Sequence, residues 1–442
     1  MNILIDHGSS NNLGDASMVL SVVLNLRERF PGATLHVVHR SSFIYGSEWG
    51  DAAEFAPRFR VALPFFVRDA PLPARVRRRL DEGVRRYVLR QSDATERTSF
   101  RNLRSGEAGD LSLIQPPGQT LREFVERYDA LHVVGGGNLT ETFPWHLLHR
   151  TSLIYAFQEQ GKPIVLTGQQ IGPFPTDKYW PITAEALRRA TFVGLREPTD
   201  SVALVRRAGV PEERFAMMGD DAFGLDPADS TEVDERLARR GLSTGQFFTV
   251  NLRIGDHYAG GHADHLDTVA GMIDRLADAY GMPALVVPIA LNEDDSDLAA
   301  GKRLRSRVQT VDLHLLDDSD LTPSVVKGVM ERAVGAVGVS YHFCTFALSQ
   351  GVPAVCIYDG AYYGQKARGL AALWKHDGIA LGLEGMDPSR AADHVQSIWD
   401  DGALRDQLRE RSDQAIDLWH ETFTRATAVY ASAPPASALP VS

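Results

Sequence analysis

The first 38 residues, MNILIDHGSSNNLGDASMVLSVVLNLRERFPGATLHVV, carry the pattern that decides the fold. The apolar run at residues 2–5 predicts a buried strand, and a loop at 7–14 leads into a helix from about residue 15 to 30. Pro31-Gly32 ends this helix, and residues 35–38 supply a second strand. This strand, loop, helix, strand order predicts a parallel sheet with helices on its faces.

The same order recurs along the chain and predicts an α/β protein. Apolar runs at 130–134, 164–167 and 192–195 predict further strands, each followed by a loop or a helix. A second set begins after the polar stretch 226–245. Its predicted strands are residues 247–252, 284–289, 333–339 and 354–358, and its predicted helices are 266–280, 322–332 (capped by Thr322-Pro323), 342–350 and 363–374.

A chain of 442 residues has room for two domains, and the polar stretch suggests where they divide. We predict a first domain at 1–235 and a second at 236–395. The arginine-rich segment RVRRRLDEGVRRYVLR lies in a predicted helical insertion at about 68–125. We expect its arginines to form a solvated helix face rather than an anion-binding surface. A helical segment at 396–430 and a disordered tail at 431–442 complete the prediction.

Charge and composition exclude several classes of protein. A net charge of -11 and a pI near 5.7 exclude a protein that holds nucleic acid over its whole surface. No run approaches about 20 apolar residues, and the N-terminus lacks the basic start of a signal peptide. The two cysteines, Cys344 and Cys356, predict buried free thiols in a reducing cytoplasm.

Three loops follow predicted strands, and in open parallel sheets such loops form the ligand crevice. They are residues 8–15, 135–138 and GQQIGPF at 168–174. Ordinary helix caps and turns also explain the first and third, and the second lacks the G-x-G-x-x-G dinucleotide fingerprint. The candidate cleft residues in these loops are Asn12, Gly14, Asp15, Gly136, Gly137, Asn138, Gln169 and Gln170.

Two arginines lie at strand ends, Arg196 in VGLREPTDS and Arg253 in TVNLRIGD. A guanidinium at such a position suits a carboxylate or a phosphate. A salt bridge to a nearby acid, such as Glu197 or Asp256, explains each arginine equally well.

The segment GVSYHFCTFALSQGVP places His342 between a predicted strand and the first turn of a helix. A helix N-terminus disfavours imidazolium, so this histidine suits proton exchange near pH 7. A lone histidine is usually a cap or a packing residue, but Tyr363 and Lys366 begin a helix at the same predicted edge. The histidines of DHYAGGHADH lack the H-E-x-x-H metal pattern and favour a flexible loop, so no metal is expected.

Several segments, taken in order, resemble the polysaccharide pyruvyl transferase family. They are NLGDAS, VVGGGN, GQQIGPF, GLREPTDS, GDDAF, VNLR and GVSYHFCTFALSQGVP with YDGAYYGQK. The likeness runs from about residue 3 to 375. It implies a GT-B-like fold, in which two Rossmann-like domains with parallel sheets face a cleft. It also implies phosphoenolpyruvate as donor, attachment of pyruvate as a ketal across two hydroxyls of an acceptor, and release of phosphate.

The resemblance implies roles for the candidate residues. His342 would be the general acid and base, and Tyr363 would join the glycine loops on the acceptor side. The acceptor would be a saccharide or polyhydroxyl compound, either free or linked to a carrier. We expect no required cofactor, no nucleic-acid partner, a cytoplasmic location and either a monomer or a homo-oligomer. The donor-binding residues would be Arg196, Arg253, Ser340, Tyr341 and Lys366.

One position departs from the family pattern. The segment before the histidine commonly reads G-S-R-Y-H in this family, whereas Ser340 stands here in place of the arginine. Either Arg253 or Lys366 compensates, the substrates differ, or transferase activity has been lost. The alternatives to pyruvyl transfer are another GT-B-type transferase that uses a nucleotide sugar, or a non-catalytic homologue that binds a sugar or an anion.

Overall fold

The protein is described by a computed structural model that covers residues 1–8, 12–38, 54–56, 60–62, 112–114, 121–253, 262–291 and 296–432. The arginine-rich part of the predicted insertion and residues 433–442 of the predicted tail lie outside these ranges. The strands are β1 (Asn2–Asp6), β2 (Thr34–Val38), β3 (Glu54–Ala56), β4 (Arg60–Ala62), β5 (Ser112–Ile114), β6 (Ala130–Val133), β7 (Gly136–Leu139), β8 (Ile164–Ile171), β9 (Phe192–Leu195), β10 (Phe215–Met217), β11 (Phe248–Asn251), β12 (Ala284–Val286), β13 (Leu313–Leu315), β14 (Ala336–Gly338), β15 (Ala354–Tyr358) and β16 (Ala380–Gly382).

Helices alternate with these strands, as the strand, loop, helix order predicted. Thr322 caps the helix that begins at Pro323, as expected, by accepting a hydrogen bond from the Val325 amide. The α-helices are α1 (Leu13–Arg29), α2 (Leu121–Glu126), α3 (Pro144–Glu159), α4 (Trp180–Arg189), α5 (Asp200–Arg207), α6 (Ser230–Ala238), α7 (His262–Tyr280), α8 (Asp297–Arg305), α9 (Pro323–Glu331), α10 (Tyr341–Leu348), α11 (Gly360–Leu373), α12 (Pro388–Trp399) and α13 (Gly402–Thr427).

Two parallel sheets form the framework of the described chain. The first has the strand order β10-β9-β8-β6-β1-β2-β3, with β7 paired to β8, and the second has the order β13-β12-β11-β14-β15-β16. Strands β4 and β5 form a separate antiparallel pair. In both sheets the strand order changes direction along the chain, and ligand crevices lie at the carboxyl ends of strands at such points.

Side chains alternate between the two faces of the first sheet. Ile3 and Ile5 of β1 belong to the larger apolar core, which also contains the second sheet, whereas Leu4 points to the other face and packs with α3. All three side chains are fully buried. Because one core runs from the first sheet to the second, the two halves of the molecule are packed against each other.

Two features tie the halves together near the carboxyl ends of the strands. The Leu13 amide at the start of α1 donates to the Ile289 carbonyl after β12, at 2.8 Å. At the other end of the chain, the turn that follows α13 lies against the first sheet, where the Tyr430 hydroxyl is 3.0 Å from Nδ1 of His132. The predicted limit at residues 235 and 236 falls within α6, which contacts α9, and the division into domains stays a prediction.

Several predicted elements differ from the observed ones. Gly168 to Ile171 extend strand β8 rather than forming a loop, and Gly136 to Leu139 form β7, because the two segments pair with each other. The predicted loop around the HADH sequence is wrong from His262 onward, where α7 begins. The helical segment near the C-terminus is two helices, α12 and α13, followed by a short 3-10 turn at Ala428–Ser432.

Candidate active site

The segment that carries His342 joins strand β14 to helix α10. Gly338 ends the strand, Ser340 occupies the N-cap position, and His342 is the second residue of the helix. The Ser340 amide donates to Oδ1 of Asn251 at 3.1 Å, which fixes the turn to the neighbouring strand β11. His342 is 8% exposed, so its imidazole lies at the edge of the buried core.

Helix α1 of the first half begins directly against this imidazole. Asn12 caps the helix by accepting hydrogen bonds from the Gly14 and Asp15 amides, at 2.9 and 3.3 Å. A methyl group on Gly14 would lie 2.2 Å from the Nδ1 atom of His342, so only glycine permits this approach. The ordinary reading of Asn12 as a cap is correct, and the helix that it starts forms one wall of the site.

The glycine segment after β6 forms a second wall. Gly136 has a φ of +125°, which side chains rarely adopt, and this turns the chain into β7. A methyl group on Gly137 would lie 3.3 Å from Cε of Lys366, 3.4 Å from Oε1 of Gln170 and 3.4 Å from Oη of Tyr362. Gly137 therefore lies opposite helix α11, and both halves of the molecule contribute to the site.

The two glutamines of β8 have different surroundings. Gln169 is buried within the sheet, and its amide nitrogen donates to the carbonyls of Val133, Val134 and Thr167. Gln170 instead contacts the guanidinium of Arg196 through its Oε1 atom. Because alternate residues of a strand point to opposite sides, the structure brings Gln170 to the site and leaves Gln169 in the sheet.

Arg196 lies behind the site and not on its surface. The side chain is 1% exposed, its guanidinium carbon lies 4.1 Å from the centre of the Tyr341 ring, and Nη1 donates to Asp220 at 3.3 Å. Burial opposes the positive charge, but Tyr341 and Asp220 outweigh it and raise the pKa of Arg196. The acid that pairs with Arg196 is Asp220, not the predicted neighbour Glu197.

Arg253 also has a distant partner. Its Nε and Nη2 atoms donate to the two carboxylate oxygens of Asp297, at 2.9 and 3.3 Å. Asp297 is fully buried and accepts further hydrogen bonds from Asn251 and from the Ile289 and Ala290 amides. This bidentate pair holds the guanidinium at the end of β11.

Lys366 is the third cation of the site. Its ammonium lies 4.4 Å from the ring centre of Tyr362 and 5.9 Å from that of Tyr363, and Phe143 packs edge-on against Tyr362. No carboxylate of the described residues lies within ion-pair distance of this ammonium. Burial, with the positive charges of Arg196 and Arg253, lowers the pKa of Lys366 to about 7, although Asp15 opposes the shift.

The structure places Asp220 at the site and Asp221 beside it, and the sequence prediction assigned neither residue. Both are fully buried in the GDDAF segment after β10. Burial favours the neutral form of Asp220, but His342, Arg196 and the Ala222 amide lower its pKa. Burial instead raises the pKa of Asp221 to about 7, although Thr167, Gly135 and Trp419 donate hydrogen bonds to it. The sequence signal that could have identified them is their position directly after a strand.

We define the central site as Gly14, Gly137, Gln170, Arg196, Asp220, His342, Tyr362 and Lys366, which are linked by the contacts above. Ser340, Tyr341 and Tyr363 flank it, and Asn12, Asp15, Asn138 and Arg253 border it through α1, β7 and β11. Within the described ranges, no group of three or more metal-ligating side chains is present. None of the described helices has the length and apolarity needed to cross a membrane.

Solved structures with a similar fold include glycosyltransferases and epimerases of the GT-B type. MnaA from S. aureus with UDP has a TM-score of 0.58 at 11% identity, with 98% of this chain and 96% of that chain covered. UDP-GlcNAc 2-epimerase from Neisseria meningitidis has a TM-score of 0.55 at 11% identity, with 97% and 100% covered. The glycosyltransferase of kitacinnamycin has a TM-score of 0.53 at 14% identity, with 98% and 99% covered. The predicted GT-B-like α/β fold is thereby confirmed.

Sequence comparison defines the family. A search of curated proteins found no match. The family model for polysaccharide pyruvyl transferase matches residues 12–360, which include every residue of the central site except Tyr362 and Lys366. A match over most of the chain identifies a transferase and implies a saccharide acceptor. The chain therefore belongs to the polysaccharide pyruvyl transferase family.

Proposed function

We propose that this protein transfers the pyruvyl group of phosphoenolpyruvate to two hydroxyls of a saccharide or related acceptor, forming a ketal. The observation that carries the proposal is a group of three cations, in which the charges of Arg196 and Arg253 reach Lys366. Arg196 in turn shares the Asp220 carboxylate with the imidazole of His342. The two arginines have buried carboxylate partners, whereas Lys366 has none among the described residues. A small dianionic or trianionic donor supplies the missing negative charge.

The chemistry requires proton movement and a leaving group. In the proposed reaction, the first hydroxyl oxygen bonds to C2 of the donor and its proton passes to C3. The C2–O bond to phosphate then breaks, the second hydroxyl bonds to C2, and its proton leaves with phosphate. His342 moves the first proton, and Lys366 stabilises the departing phosphate.

The structure changes how we assign the donor site. Because Arg196 is 1% exposed and already bonded to Gln170 and Asp220, we propose that it acts through its electric field rather than by direct contact. Lys366 and Arg253, which are more exposed, are the proposed contacts. In this arrangement Lys366 and Arg253 supply the positive charge of the family arginine that Ser340 replaces, which supports the first of the three explanations for that departure. A carrier-linked acceptor, a homo-oligomer, a cytoplasmic location and the lack of a required metal stay predictions.

The test is phosphate release from phosphoenolpyruvate in the presence of a panel of saccharides, followed by mass spectrometry of the acceptor. The expected product is heavier by one ketal-linked pyruvyl group. His342→Gln is expected to lower kcat by about 10²- to 10⁴-fold. His314→Gln is the matched control, because His314 lies on β13 and pairs only with Asp312 among the described residues. Unchanged turnover in the His342 variant would refute its role.

A second candidate is transfer from a nucleotide sugar. The observation in its favour is that the similar structures from S. aureus and Neisseria meningitidis contain UDP and UDP-GlcNAc. In that case the three cations would hold a diphosphate. Calorimetric titrations separate the candidates: the proposed function requires phosphoenolpyruvate to bind more tightly than UDP-sugars, and the reverse order would favour the second candidate.

A further inference from the structure

Asp220 is a buried carboxylate that faces two side chains of the central site at once. Its Oδ2 atom lies 3.3 Å from Nη1 of Arg196 and 3.6 Å from Nε2 of His342. Its Oδ1 atom accepts a hydrogen bond from the Ala222 amide at 2.9 Å. Asp220 has no exposed surface, so this arrangement is fixed by its neighbours and not by solvent.

The two nitrogens of the His342 ring have different surroundings. Nε2 is buried and points toward Asp220, and it has no other polar partner among the described residues. Nδ1 lies on the opposite side, next to Gly14 at the start of α1. Tyr341 packs edge-on against the ring at 5.3 Å and Phe346 lies at 6.2 Å, so the aromatic neighbours hold its orientation.

A carboxylate accepts hydrogen bonds and cannot donate them, so it favours a proton on the ring nitrogen that faces it. The separation of 3.6 Å is an ion-pair distance, and such contacts commonly shorten when substrate binds. Arg196 shares the carboxylate, which keeps Asp220 ionised and hence an acceptor. Together these contacts leave the lone pair of neutral His342 on Nδ1.

We propose that Asp220 is a positioning residue that holds His342 as the Nε2–H tautomer, so that Nδ1 is the nitrogen that exchanges protons with the substrate. The second part rests on the proposed function. In that step the hydroxyl proton moves to Nδ1 as the oxygen bonds to C2, and then moves from Nδ1 to C3. The imidazolium between these transfers is balanced by Asp220, and the ring ends neutral.

The test is nitrogen NMR of protein labelled with [¹⁵N]histidine, in which the two ring nitrogens report the tautomer directly. The His342 signals are identified by their loss in His342→Gln. The expected spectrum at pH 8 shows a protonated Nε2 and an unprotonated Nδ1. In Asp220→Asn, Oδ1 keeps the Ala222 hydrogen bond, so the amide nitrogen faces the ring and donates to Nε2, which moves the proton to Nδ1.

Two further variants make the result decisive. Asp220→Glu keeps a carboxylate and is expected to retain the Nε2–H tautomer, and it covers the case in which the asparagine variant fails to fold. Asp274→Asn, which changes a buried carboxylate that accepts hydrogen bonds from the Gln309, Thr310 and Val311 amides outside the site, is expected to leave the His342 signals unchanged. A wild-type Nδ1–H tautomer, or an Asp220→Asn spectrum identical to wild type, would overturn the proposal.

Turnover gives an independent readout. Asp220→Asn is expected to lower kcat by about 10²- to 10⁴-fold, with partial recovery in Asp220→Glu. If the tautomer behaves as expected and no acceptor yields phosphate, the assignment of Asp220 stands and the proposed reaction is wrong. If phosphate is released and the tautomer does not depend on Asp220, the reaction stands and the role of Asp220 is wrong.

Discussion

At the scale of single residues, the site is built from charges whose state depends on their neighbours. An arginine side chain keeps its proton at any ordinary pH, whereas burial and the charges of Arg196 and Arg253 lower the pKa of Lys366 to about 7. A partly buried ammonium near other cations is costly, and an anion beside it removes that cost. Binding of an anionic donor should therefore draw a proton onto Lys366.

This coupling predicts a pH-dependent affinity for phosphoenolpyruvate. Above pH 7 the free protein loses the Lys366 proton, so affinity should fall by about tenfold for each pH unit between about 7.5 and 9. Lys366→Arg retains its charge throughout and should bind with little pH dependence. Isothermal titration calorimetry at several pH values measures both proteins. An equally steep decline in the arginine variant would assign the effect to another group.

At the scale of elements, the site depends on helix starts that meet across the two halves. Helix α1 begins at Leu13 and helix α10 at Tyr341, and the Gly14 backbone lies against the His342 ring. Helix α13 supplies a third connection, because the Trp419 indole donates to Asp221 Oδ1 at 3.0 Å. These contacts fix how closely the two sheets approach at their carboxyl ends.

The start of α1 leads to a prediction about catalysis. In Gly14→Ala the new methyl group would lie 2.2 Å from Nδ1 of His342, so the ring or the helix must shift. A displacement of that kind should lower kcat/KM by about 100-fold or more. The matched control is Gly32→Ala, where no heavy atom lies within 4 Å of the added methyl group. Steady-state kinetics and circular dichroism of both variants decide the point, and full activity in Gly14→Ala would contradict it.

The return of α13 leads to a prediction about stability. Trp419→Phe removes a buried hydrogen bond to Asp221, whereas Trp399→Phe removes an indole nitrogen that has no hydrogen-bond partner among the described residues. The free energy of unfolding should fall by about 1 to 3 kcal/mol more in the first variant than in the second. Urea denaturation measures both values. Equal decreases in the free energy of unfolding would mean that the hydrogen bond adds no stability beyond that of ring packing.

At the scale of the whole molecule, one apolar core and one buried lysine connect the halves. Lys327 of α9 is 1% exposed, and its ammonium donates to the carbonyls of Ala222 and Leu225 in the segment after β10. Burial lowers the pKa of Lys327 to about 8, with Asp226 and Asp220 opposing the shift. The Ala222 carbonyl also accepts from the Leu225 amide, so losing the lysine would leave the buried Leu225 carbonyl without its lysine donor and the Ala222 carbonyl with one hydrogen bond fewer.

Lys327→Met should therefore destabilise both halves together. The free energy of unfolding should fall by about 1 to 3 kcal/mol at pH 7, and hydrogen exchange should accelerate in β1 and β6 as well as in β11 and β14. Lys302→Met, at an exposed position of helix α8, is the control and should change neither quantity. Exchange that accelerates in only one sheet would show that the halves unfold independently.

The sequence alone determined the parallel α/β pattern and the placement of His342 at a helix start, because apolar periodicity and capping residues act over short distances. Only the tertiary structure decided which partners meet. Arg253 pairs with Asp297, 44 residues away, and Asp220 lies between Arg196 and His342. Such pairs depend on the order of the strands and on the paths of loops that follow distant strands. Gln169 is a further example, because strand β8 extends through it and keeps its side chain inside the sheet. Local sequence does not encode those long-range geometries.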